Sequence, residues 1–149
     1  MTIASIMLAA GHGTRMKSKL PKVLHPILGK PLVLHALSAV EKVVDIPPVV
    51  VVGHGAEDVQ AAIQAGAKHE VQFAIQEPQL GTGHAVMCAR ELLRGKSEQV
   101  IITFADMPLL TQASIERIIQ LRQESQSVMV ITTVMSEEPR GFGRVIRAE

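Results

Sequence analysis

Five apolar runs punctuate the chain: Ile3–Leu8, Pro48–Val52, Val71–Ile75, Val100–Phe104 and Val128–Val134. Most are continuously apolar rather than alternating, the pattern of strands buried on both faces. Helical spacing fills the intervals. Val33, Ala36, Leu37, Val40 and Val44 share one face behind Pro31, a residue suited to opening a helix. Val59, Ala62 and Ile63 mark a second helix ending near Gly66, and Val86, Ala89 and Leu93 a third ending near Gly95. Ile115, Ile118, Ile119 and Arg122 mark a fourth, with Thr111 or Ser114 as its N-cap. The alternation predicts an α/β fold: a mostly parallel sheet with helices on both faces and ligands at the carboxyl ends of its strands. No internal repeat, low-complexity segment or linker interrupts it, so residues 1–149 read as one domain. Arg144–Arg147 reads as the start of one more strand, or of a domain cut short.

Composition narrows the classes. With 47% hydrophobic and 19% charged residues in 149, the chain can build a core. The net charge of +1 averages two unlike regions. Arg15, Lys17, Lys19, Lys22 and Lys30 fall within the first forty residues, where no carboxylate occurs; the first acid is Glu41. A basic opening on a near-neutral chain points to a local anion site, whereas a duplex-binding protein would be basic throughout. Trp and Tyr are absent and Phe occurs three times, too few rings for a base-stacking platform. The single cysteine, Cys88, makes no disulfide framework and fits a reducing compartment. No apolar run reaches the roughly 18 residues of a membrane span. The positive charges follow the apolar opening Met1–Ala10, the reverse of a secretory signal, so secretion is not expected.

The first strand runs into Ala9-Ala10-Gly11-His12-Gly13-Thr14-Arg15-Met16, then Lys17-Ser18-Lys19-Leu20-Pro21-Lys22. Glycines after a buried strand let backbone N–H groups approach a ligand, and Arg15 and Lys22 add charge that no acid of the same segment neutralises. A lone G-x-G would read as a plain strand-to-helix turn; these cations favour phosphate. A dinucleotide fingerprint would need glycine where Met16 stands and an acid about 20 residues on. A P-loop string is absent. Gln76, after the third strand, carries an amide able to offer donor and acceptor to a base edge, while Thr82 could instead cap the next helix. Asp106, directly beyond Val100–Phe104, suits either Mg²⁺ or the turn before Pro108.

These motifs together resemble those of the nucleotidyltransferases that make NDP-sugars. Leu8-Ala9-Ala10-Gly11-x-Gly13-Thr14-Arg15-Met16 with Pro21-Lys22 is similar to their opening signature. Val52-Gly53-His54-Gly55, Gln76-x-x-Gln79-Leu80-Gly81-Thr82-Gly83-His84-Ala85, Asp106-Met107-Pro108-Leu109 and Gly141-Phe142-Gly143-Arg144 extend the likeness along the whole chain. The nearest likeness is to the uridylyltransferase domains that act on N-acetylglucosamine-1-phosphate.

The resemblance implies a Rossmann-like three-layer sandwich and a reaction of UTP with N-acetylglucosamine-1-phosphate that releases pyrophosphate. It implies backbone contacts to the nucleotide from Leu8, Ala9, Ala10, Gly11, Gly13 and Thr14. Arg15 would bind the β- and γ-phosphates, and Lys22 would neutralise charge at the transferring phosphoryl group. Gln76 would read uracil, with Gly81 and Thr82 beside it. Phe104 and Ala105 would line the ligand, Asp106 would hold Mg²⁺, and Gly143 would border the sugar phosphate. His12 departs from the lysine that relatives often carry. Phe104-Ala105-Asp106 departs from Tyr-Gly-Asp, and the added methyl of Ala105 is expected to narrow the ligand space. The family's full domain is longer, and a β-helix acetyltransferase domain follows it in bifunctional members. The resemblance therefore implies a fragment incomplete at its C-terminus, without that β-helix. It also implies a cytoplasmic protein serving peptidoglycan and lipopolysaccharide synthesis, bound to neither nucleic acid nor membrane. Oligomeric state is left open. Two other readings stand beside it: a transferase with another acceptor, such as a molybdenum cofactor guanylyltransferase, and a non-catalytic nucleotide-binding module. His25, His35 and His69 lack metal-ligand spacing and read as structural or surface residues, His54 and His84 fall within the family-like motifs without an assigned role, and Cys88 reads as a packed small hydrophobe.

Overall fold

The structure, a computed structural model, describes residues 1–13, 16–138, 141 and 143–147. Four parallel strands form its sheet: β1 (Ile3–Leu8), β4 (Val49–Val52), β5 (Gln72–Ile75) and β6 (Gln99–Phe104), in the order β5-β4-β1-β6. A two-stranded antiparallel ribbon, β2 (Pro26–Ile27) and β3 (Lys30–Pro31), leads into the first helix. The helices are α1 (Leu32–Val40), α2 (Ala56–Gly66), α3 (Thr82–Cys88), α4 (Arg90–Leu93) and α5 (Gln112–Ser125).

The expected burial on both faces holds most fully in β4, whose four valines are completely buried. Side chains of successive strand residues point to opposite faces, so each run feeds two cores. Met7, Val50 and Val52 pack with Val33, Leu37 and Val40 of α1, Val59 and Ile63 of α2, and Ile115 of α5. Ala4, Ile6, Val49, Val51 and Ala74 pack on the other face with Ala85, Ala89 and Leu93. The result is the α/β three-layer arrangement expected from the sequence.

Two local readings change, and the choice between two N-caps is settled. The third helix is two helices. At fully buried Ala89 the backbone N–H bonds the carbonyl of Val86 three residues back, a tightened turn that separates α3 from α4. Thr111 caps α5, accepting a hydrogen bond from the Ser114 N–H at 3.2 Å. Val128–Val134 and Arg144–Arg147 are not strands. A strand has no hydrogen bonds of its own and forms only against a partner. Among the described residues neither run joins a sheet; Val128 is 98% exposed. Among the described residues no helix is long and apolar enough to cross a membrane.

Candidate nucleotide site

Strand order locates the site. The chain runs outward from β1 to β4 to β5, then returns to place β6 on the other side of β1. Loops leaving β1 and β6 therefore diverge at their carboxyl ends and open a crevice, the usual ligand position in such sheets. A cleft of about 530 Å³ lies there.

Loops from three strands meet in it. Leu8, Ala9, Ala10, Gly11 and Gly13 come from the end of β1 and the segment beyond, and Gln76, Gly81 and Thr82 from the loop after β5 and the start of α3. Phe104 and Asp106 come from the end of β6. Lys22 enters from a 3-10 turn, Lys22–Leu24, whose other residues, Val23 and Leu24, are buried in the core. That anchorage holds the lysine stem while its ammonium reaches Asp106 Oδ2 at 2.5 Å.

Two glycines permit the close approach of these segments. Gly13 has φ +59°, and a Cβ there would lie 2.7 Å from Cβ of Lys22. A Cβ on Gly53, after β4, would lie 3.1 Å from the carbonyl oxygen of Ala10 and 3.0 Å from Nε2 of Gln79. Gln79 fills the space so left and donates to the Ala10 carbonyl at 2.5 Å, tying the loop after β5 to the loop after β1. Gln76 is buried, and its Nε2 donates to the Gly81 carbonyl at 2.9 Å and lies 3.1 Å from His84 Nδ1.

The sequence-predicted residues divide into three groups. Leu8, Ala9, Ala10, Gly11, Gly13, Lys22, Gln76, Gly81, Thr82, Phe104 and Asp106 share the cleft. Two do not. Ala105 is fully buried and turned into the helix-covered core, because strand alternation sends it opposite Phe104. Its methyl therefore does not narrow the cleft, contrary to expectation. Gly143 does not line the cleft, and among the described residues no atom lies within 4 Å of the position of a Cβ there. Thr14 and Arg15 lie outside the described residues. Thr82 does not act as a side-chain cap; Gly81 occupies the N-cap of α3 with φ +95°. Sequence reading assigned no role to Gln79, Met16, Val23 or Ala85, which also line the cleft. The repeated glutamine in Gln76-x-x-Gln79 was the available signal for the first; the others are apolar residues marked by no chemistry. His12 and His54 bring their rings to 5.0 Å.

Asp106 is an oxygen donor at a strand end, suited to a hard divalent cation. Among the described residues no group of three or more His, Cys, Asp or Glu could hold a metal unaided. A cation here fits one carboxylate with the remaining positions taken by phosphate and water, a common arrangement for Mg²⁺.

Comparison with known proteins agrees with this architecture. The chain is 45% identical over 145 residues to the bifunctional protein GlmU of Syntrophotalea carbinolica, a match covering 97% of this chain and 31% of that protein. It is 47% identical over 143 residues to the bifunctional protein GlmU of Enterococcus faecalis, covering 96% and 30%. The chain thus spans about a third of the length of these curated relatives. Among solved structures, a nucleotidyl transferase from Methanothermobacter superposes with a TM-score of 0.65 at 21% identity, covering 80% of this chain and 57% of that one. The 4-diphosphocytidyl-2C-methyl-D-erythritol synthase of Anaerococcus prevotii superposes with a TM-score of 0.64 at 17% identity, covering 83% and 52%. At such identities the likeness is one of fold. The profile of the MobA-like NTP transferase domain matches residues 5–147, and the chain belongs to that family of nucleotidyltransferases.

Proposed function

We propose that the chain carries the nucleotide-binding part of a uridylyltransferase site that joins UTP to N-acetylglucosamine-1-phosphate, as the N-terminal portion of a nucleotidyltransferase domain. A phosphate oxygen of the sugar phosphate attacks the α-phosphorus of UTP. The bond from that phosphorus to the bridging oxygen breaks, and pyrophosphate leaves. The observation that carries this reading is the meeting, in one cleft, of an acid-free glycine loop, Lys22, Asp106 and Gln76.

Each group has a task suited to its chemistry. Backbone N–H groups from Ala10 to Gly13 bind phosphate oxygens, which the glycines allow to come close. Lys22 places a compact positive charge beside the transferring phosphoryl group; in phosphoryl transfer such positioning dominates catalysis. Arg15, in the same loop sequence, supplies the cation for the β- and γ-phosphates and the leaving pyrophosphate. Gln76, with Gly81 and Thr82 beside it, contacts the base. Asp106 would hold a divalent cation, Mg²⁺ in this reading, which when bound neutralises the phosphate oxygens. Gly143 is assigned to the sugar-phosphate side on the family pattern alone. This reading assigns the protein to the cytoplasm, supplying a nucleotide sugar to peptidoglycan and lipopolysaccharide synthesis.

Titration with UTP and GTP in the presence of Mg²⁺, followed by pyrophosphate release with N-acetylglucosamine-1-phosphate, tests the proposal. We expect UTP to bind more tightly than GTP, and turnover by these 149 residues to be slow. A preference for GTP overturns the choice of base, and unchanged binding after Arg15→Ala and Lys22→Ala overturns the site.

A further inference from the structure

Gln76 is a buried amide with both of its N–H groups already engaged. One donates to the Gly81 carbonyl at 2.9 Å. A carbonyl can only accept, so the atom facing it is the amide nitrogen, and this fixes which way the amide points. The same nitrogen lies 3.1 Å from His84 Nδ1. An amide nitrogen offers no lone pair, so Nδ1 is the acceptor and the ring carries its proton on Nε2. That nitrogen faces Cys88 Sγ at 3.9 Å, a weak acceptor one helical turn further along α3. The chain of donors thus runs from His84 to Cys88 and from Gln76 to His84 and Gly81. Among the described residues nothing bonds Gln76 Oε1, and Gln76 lines the cleft.

We propose that His84 is a specificity-determining positioning residue: together with the Gly81 carbonyl it holds Gln76 so that only an acceptor faces the base. The inference rests on the uridylyltransferase reading and deepens it. Uracil presents a ring N–H at N3, which an acceptor satisfies. Cytosine presents a bare nitrogen at the same position, and two acceptors facing each other leave both unsatisfied in a desolvated site. A site built to bond one edge rejects the other chiefly through those unpaired buried groups. Without Nδ1 one N–H of Gln76 is released, the amide is held by Gly81 alone, and it can turn to donate to cytosine.

The test compares binding of Mg²⁺–UTP and Mg²⁺–CTP to the wild-type chain, His84→Phe and His84→Asn, with thermal melting of each. Phenylalanine keeps a ring of similar size and removes the acceptor; asparagine keeps an acceptor near the position of Nδ1. We expect the UTP-to-CTP preference to fall about five- to tenfold in His84→Phe, the worth of roughly one hydrogen bond. In His84→Asn it should return to within about twofold of wild type. A purely structural role would weaken both nucleotides equally and leave the ratio unmoved. A wild-type chain that prefers UTP, with the same preference in a folded His84→Phe, overturns the role of His84 while leaving the uridylyltransferase reading intact. A wild-type chain with no preference for UTP overturns that reading and this inference with it. If His84→Phe does not fold, His84→Leu and the His84→Asn ratio decide.

Discussion

Lys22 Nζ and Asp106 Oδ2 lie 2.5 Å apart across the cleft, although 84 residues separate them in sequence. One belongs to the loop after β1 and the other to the loop after β6, so their pairing reports directly the adjacency of those two strands. Both side chains are partly exposed, at 41% and 33%. Such a pair contributes little to folding, on the order of 0–1 kcal/mol. Its weight lies in placement, because it keeps a cation and an anion at the spot where a phosphate and its counter-ion would meet. Lys22→Met keeps the aliphatic stem and removes the charge. We expect a melting-temperature shift corresponding to under about 1 kcal/mol, and a loss of turnover of roughly 10²- to 10³-fold, typical of removing one stabilising donor. Melting curves and steady-state pyrophosphate release measure the two.

Asp106→Asn separates the metal role from the ion pair. Asparagine preserves shape but gives a cation a far poorer ligand. UTP binding should lose its dependence on Mg²⁺, with metal-free binding changed by less than about threefold, the scale of a partly exposed pair. Calorimetric titration with and without Mg²⁺ reads both; a full Mg²⁺ dependence in the variant would remove Asp106 from the proposal.

Gly13→Ala tests the backbone. The residue has φ +59°, and an added Cβ would meet Lys22 Cβ at 2.7 Å. Left-handed strain of roughly 1–2 kcal/mol adds to that clash. The loop must shift away from Lys22, and UTP affinity should fall tenfold or more, as measured by equilibrium binding.

Gln79→Ala removes the donor to the Ala10 carbonyl and with it the tie between two loops. One hydrogen bond is worth about 1 kcal/mol net. UTP affinity should drop roughly fivefold while the UTP-to-CTP preference stays as in wild type, since the amide of Gln76 is held by Gly81 and His84. Gln79→Glu, which places an acceptor against a carbonyl, should be worse than alanine.

The apolar segment beyond α5 and the outer edge of β6 predict association. Val128, Met129, Ile131 and Val134 are exposed, as are Val100, Ile102 and Phe104 of β6, which among the described residues pairs with β1 alone. An unpaired edge with exposed apolar residues is a template for pairing with another chain. Ile131→Lys combined with Val134→Lys should reduce concentration-dependent light scattering by more than half without moving UTP affinity; unchanged scattering would mean the run is not the contact.

Local pattern determined much of this protein. β1 forms over Ile3–Leu8 as its apolar run predicts, Thr111 caps α5, and α2 ends at Gly66. Periodicity and capping act between residues a few positions apart, so they can be read from a single chain. The cations of the first loop, Gln76 and Asp106 were likewise apparent as chemistry after strand ends. Tertiary structure decided the rest. That β6 lies beside β1 rather than beyond β5 brings Lys22 to Asp106, and residue spacing carries no information about strand order. Strand alternation turned Ala105 into the core. The engagement of both Gln76 N–H groups emerged only once Gly81 and His84 were placed around them. Val128–Val134 has a strand's composition and, among the described residues, no partner strand, and hydrogen bonding between strands is a property of pairs that no run of residues possesses by itself.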